Sequence, residues 1–224
     1  MCCDLDPKSS IATDRSTVGG VSISDGAKQP IRKAVLWYSV RNRERKAEQI
    51  LAWLQRCGVK NVLFVGTMGD EHAGDDNMVN AGIVERRIAA AYEVKMSINV
   101  EPAMTTYPFM IADARNMPFE DNYVDFALAN AIIEHVGQEA EQRKMVLEMT
   151  RVARTWVITT PNKWFPIESH TSALFLHWFP SWRKKREEDF TRLLSRREFL
   201  ELLPVGARLQ GKLWSPTFTA YYVR

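Results

Sequence analysis

The chain has 224 residues, 46% of them hydrophobic and 25% charged, with a formal net charge of +3. That length and apolar content suit one α/β-sized domain with a substantial core and leave too little chain for a second full domain. The nearly even charge balance demands neither nucleic acid nor an anionic surface, and there is no stretch of about 18 consecutive apolar residues to span a bilayer.

Residues 1–29 are rich in Ser, Asp, Gly, Lys and Thr without a sustained apolar period, so they read as a flexible tail. The opening lacks the basic and apolar regions of a secretory signal, and Cys2, Cys3, Cys57 and the four histidines show no metal-ligand spacing. The expectation is a cytoplasmic protein without a metal site or a disulfide framework. A single domain is expected over 30–224. It opens with a helix from Pro30 to Cys57, where Ala47, Ile50, Leu51 and Leu54 recur at steps of three and four, and Gly58 stands ready to end it.

Five short apolar runs follow: "NVLFVG", "VKMSINV", "PFMIAD", "VDFALAN" and "TWVITTP". Helical stretches near 78–92, 138–152 and 192–203 separate or follow them. Runs apolar on both faces, with room for crossovers, predict a parallel sheet covered by helices on both faces. The last two runs, "RLQGKLW" and "FTAYYV", have no helix between them and predict an antiparallel pair.

The first strand runs into a glycine turn, Gly66-Thr67-Met68-Gly69, which turns backbone N–H groups toward a ligand at the carboxyl end of the sheet. Asp70, Glu71, Asp75 and Asp76 follow, and no Lys or Arg occurs between Lys60 and Arg86. Each nearby carboxylate opposes a pyrophosphate by about 1–4 kcal/mol, which disfavours NAD, FAD and ATP. A phosphate-free adenosine cofactor carrying a sulfonium and an ammonium meets the same loop without penalty, and S-adenosylmethionine is that cofactor.

The stretch "FMIADARNMPFEDNYVDFALANAIIEHVG" and, further on, "VITTPNKWFPIESHT" resemble the class I S-adenosylmethionine-dependent methyltransferases, in a branch with a "TPNrwFPiE.H" signature. The likeness covers roughly 61–224. It implies a Rossmann-like, seven-stranded, mostly parallel sheet with an antiparallel last strand. It also implies that Gly66, Thr67, Met68 and Gly69 approach the methionine portion, that Asn99, Val100 and Glu101 lie at the ribose, and that Asp113 and Ala114 read the adenine edge. Asn130 and Ala131 would lie beneath the methyl group. Two residues depart from the pattern. Phe64 replaces the usual acid before the turn, and Asn99 replaces the ribose carboxylate, where Glu101, two residues on, shares its strand face and can substitute.

Methyl transfer needs alignment, exclusion of water and, for a hydroxyl acceptor, a base. His170 is the favoured base, with His135, Glu168 and Glu134 as the other titratable groups of the mouth, and Asn162, Trp164 and Phe165 are the candidate acceptor contacts. Residues 172–190 read as a lid or insertion. Within them, 173–186 set aromatic bulk beside a basic run and so also read as a peripheral membrane contact. The resulting expectation is a biosynthetic methyltransferase acting on an oxygen or nitrogen of a small molecule, such as a sugar, lipid-linked or secondary-metabolite intermediate, with no nucleic-acid partner. The rival is a methyltransferase-fold protein that no longer transfers methyl groups, motivated by Phe64 and Asn99.

Overall fold

The computed structural model describes residues 25–67, 82–166, 175–188 and 192–224. The chain divides into two units: 1–37, of which the start of the first helix is described, and 38–224, which holds the sheet. Helix α1 spans Asp25–Cys57 and so begins five residues before Pro30, inside the stretch read as tail. It stops at Gly58, whose φ of +63° is the left-handed conformation that suits a glycine after a helix.

The strands are β1 (Asn61–Val65), β2 (Glu93–Asn99), β3 (Phe109–Ile111), β4 (Val124–Asn130), β5 (Ala153–Pro161), β6 (Arg208–Gln210) and β7 (Thr217–Val223). They form one sheet in the order β3-β2-β1-β4-β5-β7-β6. The pairs among β1 to β5 are parallel, and β7 runs antiparallel to both β5 and β6. The helix-free "RLQ" to "FTAYYV" connection is therefore the antiparallel closure expected of it.

Strand alternation decides which residues cover which face. Val62 and Phe64 of β1, with Phe126, Leu128, Val157 and Tyr221, pack against Ala47, Ile50 and Leu54 of α1 and against Val84 and Ile88 of helix α2 (Ile83–Ala89). Leu63 and Val65 look the other way. With Ala127, Ala129, Trp156 and Ile158 they meet Met145, Met149 and Val152 of α3 (Glu139–Val152) and Phe199 and Leu202 of α5 (Arg196–Leu202). Helix α4 (Pro180–Glu188) follows a short 3-10 turn at Leu176–Trp178.

Two helix boundaries differ from the pattern reading, for local reasons. α2 ends at Ala89 rather than near Tyr92, because the Ala91 and Tyr92 N–H groups both fold back onto the Ile88 carbonyl. α5 starts at Arg196 rather than Arg192. Ser195 caps it, accepting the Glu198 N–H while Glu198 accepts the Ser195 N–H, a reciprocal capping box. It ends before Leu203, which is extended ahead of Pro204.

Candidate functional site

Parallel strands β1, β2, β4 and β5 end on the same edge of the sheet, where open α/β folds hold their ligands. At the end of β1 the chain turns through Gly66, with φ +79°, and the N–H groups of Gly66 and Thr67 both donate to the Ile98 carbonyl, at 2.8 and 3.1 Å. A Cβ on Gly66 would stand 2.2 Å from Ile132 Cδ1. The close approach that requires glycine here is thus with the Ile132 side chain, in addition to any ligand. Met68 and Gly69 lie outside the described residues.

The end of β4 is wired to two other elements. Asn130 donates from Nδ2 to Glu85 Oε1 of α2 at 3.0 Å, and its Oδ1 accepts the Thr159 hydroxyl of β5 at 2.7 Å. Ala131 next to it has φ +58°, and its N–H is held by the Thr159 carbonyl and hydroxyl. Glu134, in the 3-10 turn Ile133–His135, is fully buried and accepts the Thr160 hydroxyl at 3.1 Å.

Lys46 of α1 joins this group. Burial and the neighbouring Arg43 push its ammonium down to about 8, against the opposing pull of Glu85 and Glu134. Burial likewise raises the Glu85 carboxyl, with Asn130 and Lys46 working against it. Glu85 Oε2 and the Thr67 hydroxyl are buried and make no hydrogen bond among the described residues. Buried polar atoms without a partner are costly and unusual, and the Thr67 hydroxyl belongs to the turn that follows β1. Neither Lys46 nor Glu85 stands out in the sequence as a site residue. The visible signal is that Arg43, Lys46, Ala47, Ile50 and Leu54 fall on one helical stripe, so two cations lie along the apolar face rather than opposite it.

At the ends of the second and third strands, Asn99 and Asp113 already have partners within the protein. Asn99 Nδ2 donates to the Thr67 carbonyl at 3.0 Å and so braces the β1 turn, while Oδ1 accepts the N–H of the following residue, Val100, at 2.8 Å. β2 stops at Asn99, which leaves the exposed Val100 and Glu101 in the bend beyond it; the alternation that was to put Glu101 on the Asn99 face ends before reaching it. Asp113 grips Arg115 through both oxygens, at 2.6–2.9 Å, and also accepts the Arg115 N–H. The Arg115 guanidinium holds the Asp113 carboxyl below its usual range. Ala114 is buried beside it.

The "NMPFEDNYVD" turn proves to be scaffold. Met117 and Phe119 are buried, Phe119 stacks on Tyr123 at 4.4 Å, and Arg151 donates to the Met117 and Phe119 carbonyls while pairing with Glu148 and Asp121.

Beyond β5, Asn162 is buried and donates both amide hydrogens, to the Leu213 carbonyl at 2.7 Å and the Ser215 carbonyl at 2.8 Å, while its Oδ1 accepts the Trp164 N–H. It is a latch between the β5 loop and the β6–β7 loop, with its donors committed, rather than an open contact for an acceptor. Trp164 is exposed and Phe165 half-buried. His135 is exposed on its 3-10 turn, away from the buried side of neighbouring Glu134. Glu168 and His170 lie outside the described residues; among the described residues no group of three or more His, Cys, Asp or Glu suits a metal. A cleft of about 340 Å³ bounded by Trp53, Arg56, Arg208 and Tyr221 lies between α1 and the last strands, and none of the predicted site residues lines it.

The strand order, the reversed β7 and the glycine turn at the end of β1 define the class I methyltransferase fold. Residues 80–156 match the family model described as a methyltransferase domain. Over 79 residues, 35% of this chain, the sequence is 29% identical to a tRNA (carboxymethyluridine(34)-5-O)-methyltransferase of Arabidopsis thaliana; that match spans 19% of the plant protein. Among solved structures the chain is similar to magnesium protoporphyrin IX methyltransferase from Synechocystis with bound SAH, at 12% identity and a TM-score of 0.51, covering 92% of this chain and 90% of that one. It is also similar to the methyltransferase in complex with the Trm112 methyltransferase activator from Haloferax volcanii, at 14% identity and a TM-score of 0.51, covering 89% and 94%. The cofactor of this class is S-adenosylmethionine.

Proposed function

We propose that this protein uses S-adenosylmethionine to methylate an oxygen or nitrogen of a small molecule, such as a sugar, lipid-linked or secondary-metabolite intermediate. The observation that carries the reading is that the Thr67 hydroxyl, on the turn after β1, and Oε2 of Glu85, the residue bonded to Asn130 at the end of β4, are buried and make no hydrogen bond among the described residues. A hydroxyl at the end of β1 and a carboxylate held at the end of β4 suit a group that carries both a carboxylate and an ammonium. The acidic stretch after Gly69 suits a cation and disfavours a polyanion. The donor set therefore fits the cofactor, which when bound supplies an activated methyl group.

The chain's own residues supply the rest. Gly66 and Thr67, braced by Asn99, fix the turn, and Asn130 and Ala131 form a rigid floor between α2 and β5. Lys46, with its ammonium pushed down to about 8, is the described group best placed in this cluster to hold or accept a proton near neutral pH. Isothermal titration with S-adenosylmethionine and with its demethylated product tests the reading. Micromolar binding of both supports it, and no heat and no thermal shift at millimolar ligand overturns it.

A second reading, a methyltransferase-fold protein without methyl transfer, has its own support. Asn99 and Asp113 are both engaged by the protein itself, and Ile132 packs on Gly66. The same titration separates the two.

A further inference from the structure

Large apolar side chains are exposed just beyond β5. Phe175, Leu176, Trp178 and Phe179 are 41%, 50%, 39% and 60% exposed, and Trp164 is 48% exposed. They form one continuous surface. The Phe175 ring meets Trp178 edge-on at 4.8 Å, and the Phe175 N–H donates to the Pro166 carbonyl in the Trp164 loop. Arg183 joins the two halves, donating to the Trp178 carbonyl at 2.8 Å while its guanidinium lies 5.5 Å from the Trp164 ring centre. Lys163, paired with Glu198, lies 5.7 Å from the same ring, and Lys184 and Lys185 are exposed further along α4.

Exposed apolar patches of this kind mark interaction sites. The partner here must offer apolar depth beneath a negatively charged layer. Aromatic and aliphatic side chains with Lys and Arg at their margin meet that demand at a lipid–water interface, where the rings sit at headgroup level and the cations remain among the phosphates. Single-stranded nucleic acid fits less well. Leu176 has no stacking face, and Phe175 and Trp178 are locked edge to face rather than opened as successive platforms.

We propose that Trp164 and residues 175–185 form a docking surface for an anionic membrane. The surface is tied to the loop that leaves β5 through the Phe175 N–H on the Pro166 carbonyl and Arg183 on Trp164. The inference uses no part of the methyl-transfer reading and stands or falls separately from it.

The test is co-sedimentation of the full chain with phosphatidylcholine vesicles, with and without phosphatidylglycerol, at low and high salt. The expected result is binding to the anionic vesicles at low salt, weakened by salt. Lys184→Gln/Lys185→Gln should reduce it by about fivefold per cation removed, and Leu176→Ser/Phe179→Ser should abolish it. All four side chains named are exposed, so unchanged thermal unfolding of the variants certifies their fold. No binding to anionic vesicles at low salt overturns the proposal, as does binding that both variants retain. Binding of a single-stranded oligonucleotide that the same variants lose, with vesicles left unbound, overturns it in favour of nucleic acid.

Discussion

Asn130 of β4 and Glu85 of α2 are 45 positions apart in sequence and share a hydrogen bond of 3.0 Å between Nδ2 and Oε1. Thr159 completes the line from the other side at 2.7 Å, so the Asn130 amide has one orientation. Glu85→Ala removes the acceptor and leaves a half-buried amide donor without its partner. We expect it to cost about 1–3 kcal/mol of stability and to weaken S-adenosylmethionine binding. Urea unfolding and calorimetric titration check the two effects, and unchanged values in both mean that the line has no function.

Lys46 connects this cluster to pH. Its ammonium is held at about 8 in the folded protein against an ordinary value near 10.5, because burial disfavours the charge. Between those two pH values the unfolded chain binds the proton that the folded chain has released. Stability therefore rises with pH across that window on account of this residue. In Lys46→Met the contribution is absent. Urea midpoints for the two proteins, compared from pH 8 to 10.5, should show the wild type gaining on the variant as pH rises; parallel curves would place the lysine in ordinary solvent.

The sheet was legible in the sequence because its central strands β1, β4 and β5 are buried on both faces and read as apolar runs, and because β6 and β7 lack a crossover helix. The boundary of α5 was also written there, in the Ser195 to Glu198 spacing, which outweighs the looser apolar pattern that suggested Arg192. Lys46 and Glu85 were not legible as site residues. A charged residue on a helix ordinarily faces water, and what buries these two is the approach of α1 and α2 to the ends of β4 and β5. Asn162 was placed in the right loop but assigned to a ligand, because sequence shows an amide without showing the two carbonyls of a loop some 50 residues away that claim it.

Gly66 and Ile132 form a second coupled pair. Alanine at position 66 adds a Cβ 2.2 Å from Ile132 Cδ1 and also places a side chain at φ +79°. The backbone term alone is about 1–2 kcal/mol. Ile132→Ala vacates the space that the new methyl group needs. A double-mutant cycle on Gly66→Ala and Ile132→Ala should thus return part of the loss in the double variant, leaving the backbone term uncorrected. Strict additivity would mean that Ile132 yields freely.

Asp113 and Arg115 bear on the adenine assignment. Their ion pair is exposed, with side chains 35% and 40% accessible, and pairs of that kind are weak, about 0–1 kcal/mol. A ligand amino group can replace the guanidinium at little cost. If Asp113 accepts the adenine amino group, Asp113→Ala weakens S-adenosylmethionine by about 1–3 kcal/mol, whereas Arg115→Ala leaves affinity unchanged or improves it by freeing the carboxylate. Calorimetry on both variants decides the matter: equal losses would make the pair a structural clamp, and no loss in either would put the adenine elsewhere.

Asn162 gives opposite predictions for a latch and for an acceptor contact. Its side chain holds the carbonyls of Leu213 and Ser215 and the N–H of Trp164, all from within a residue that is 5% exposed. Asn162→Ala leaves those three backbone groups to find water in a closed loop junction. The expected cost is about 2–4 kcal/mol, seen as a lowered melting temperature with and without ligand. Asn162→Asp separates geometry from charge. The carboxylate can still accept from Trp164 but can no longer donate to either carbonyl, so as a latch it should fail nearly as badly as alanine. A variant that melts like the wild type and loses only methyl-acceptor turnover would return Asn162 to the substrate.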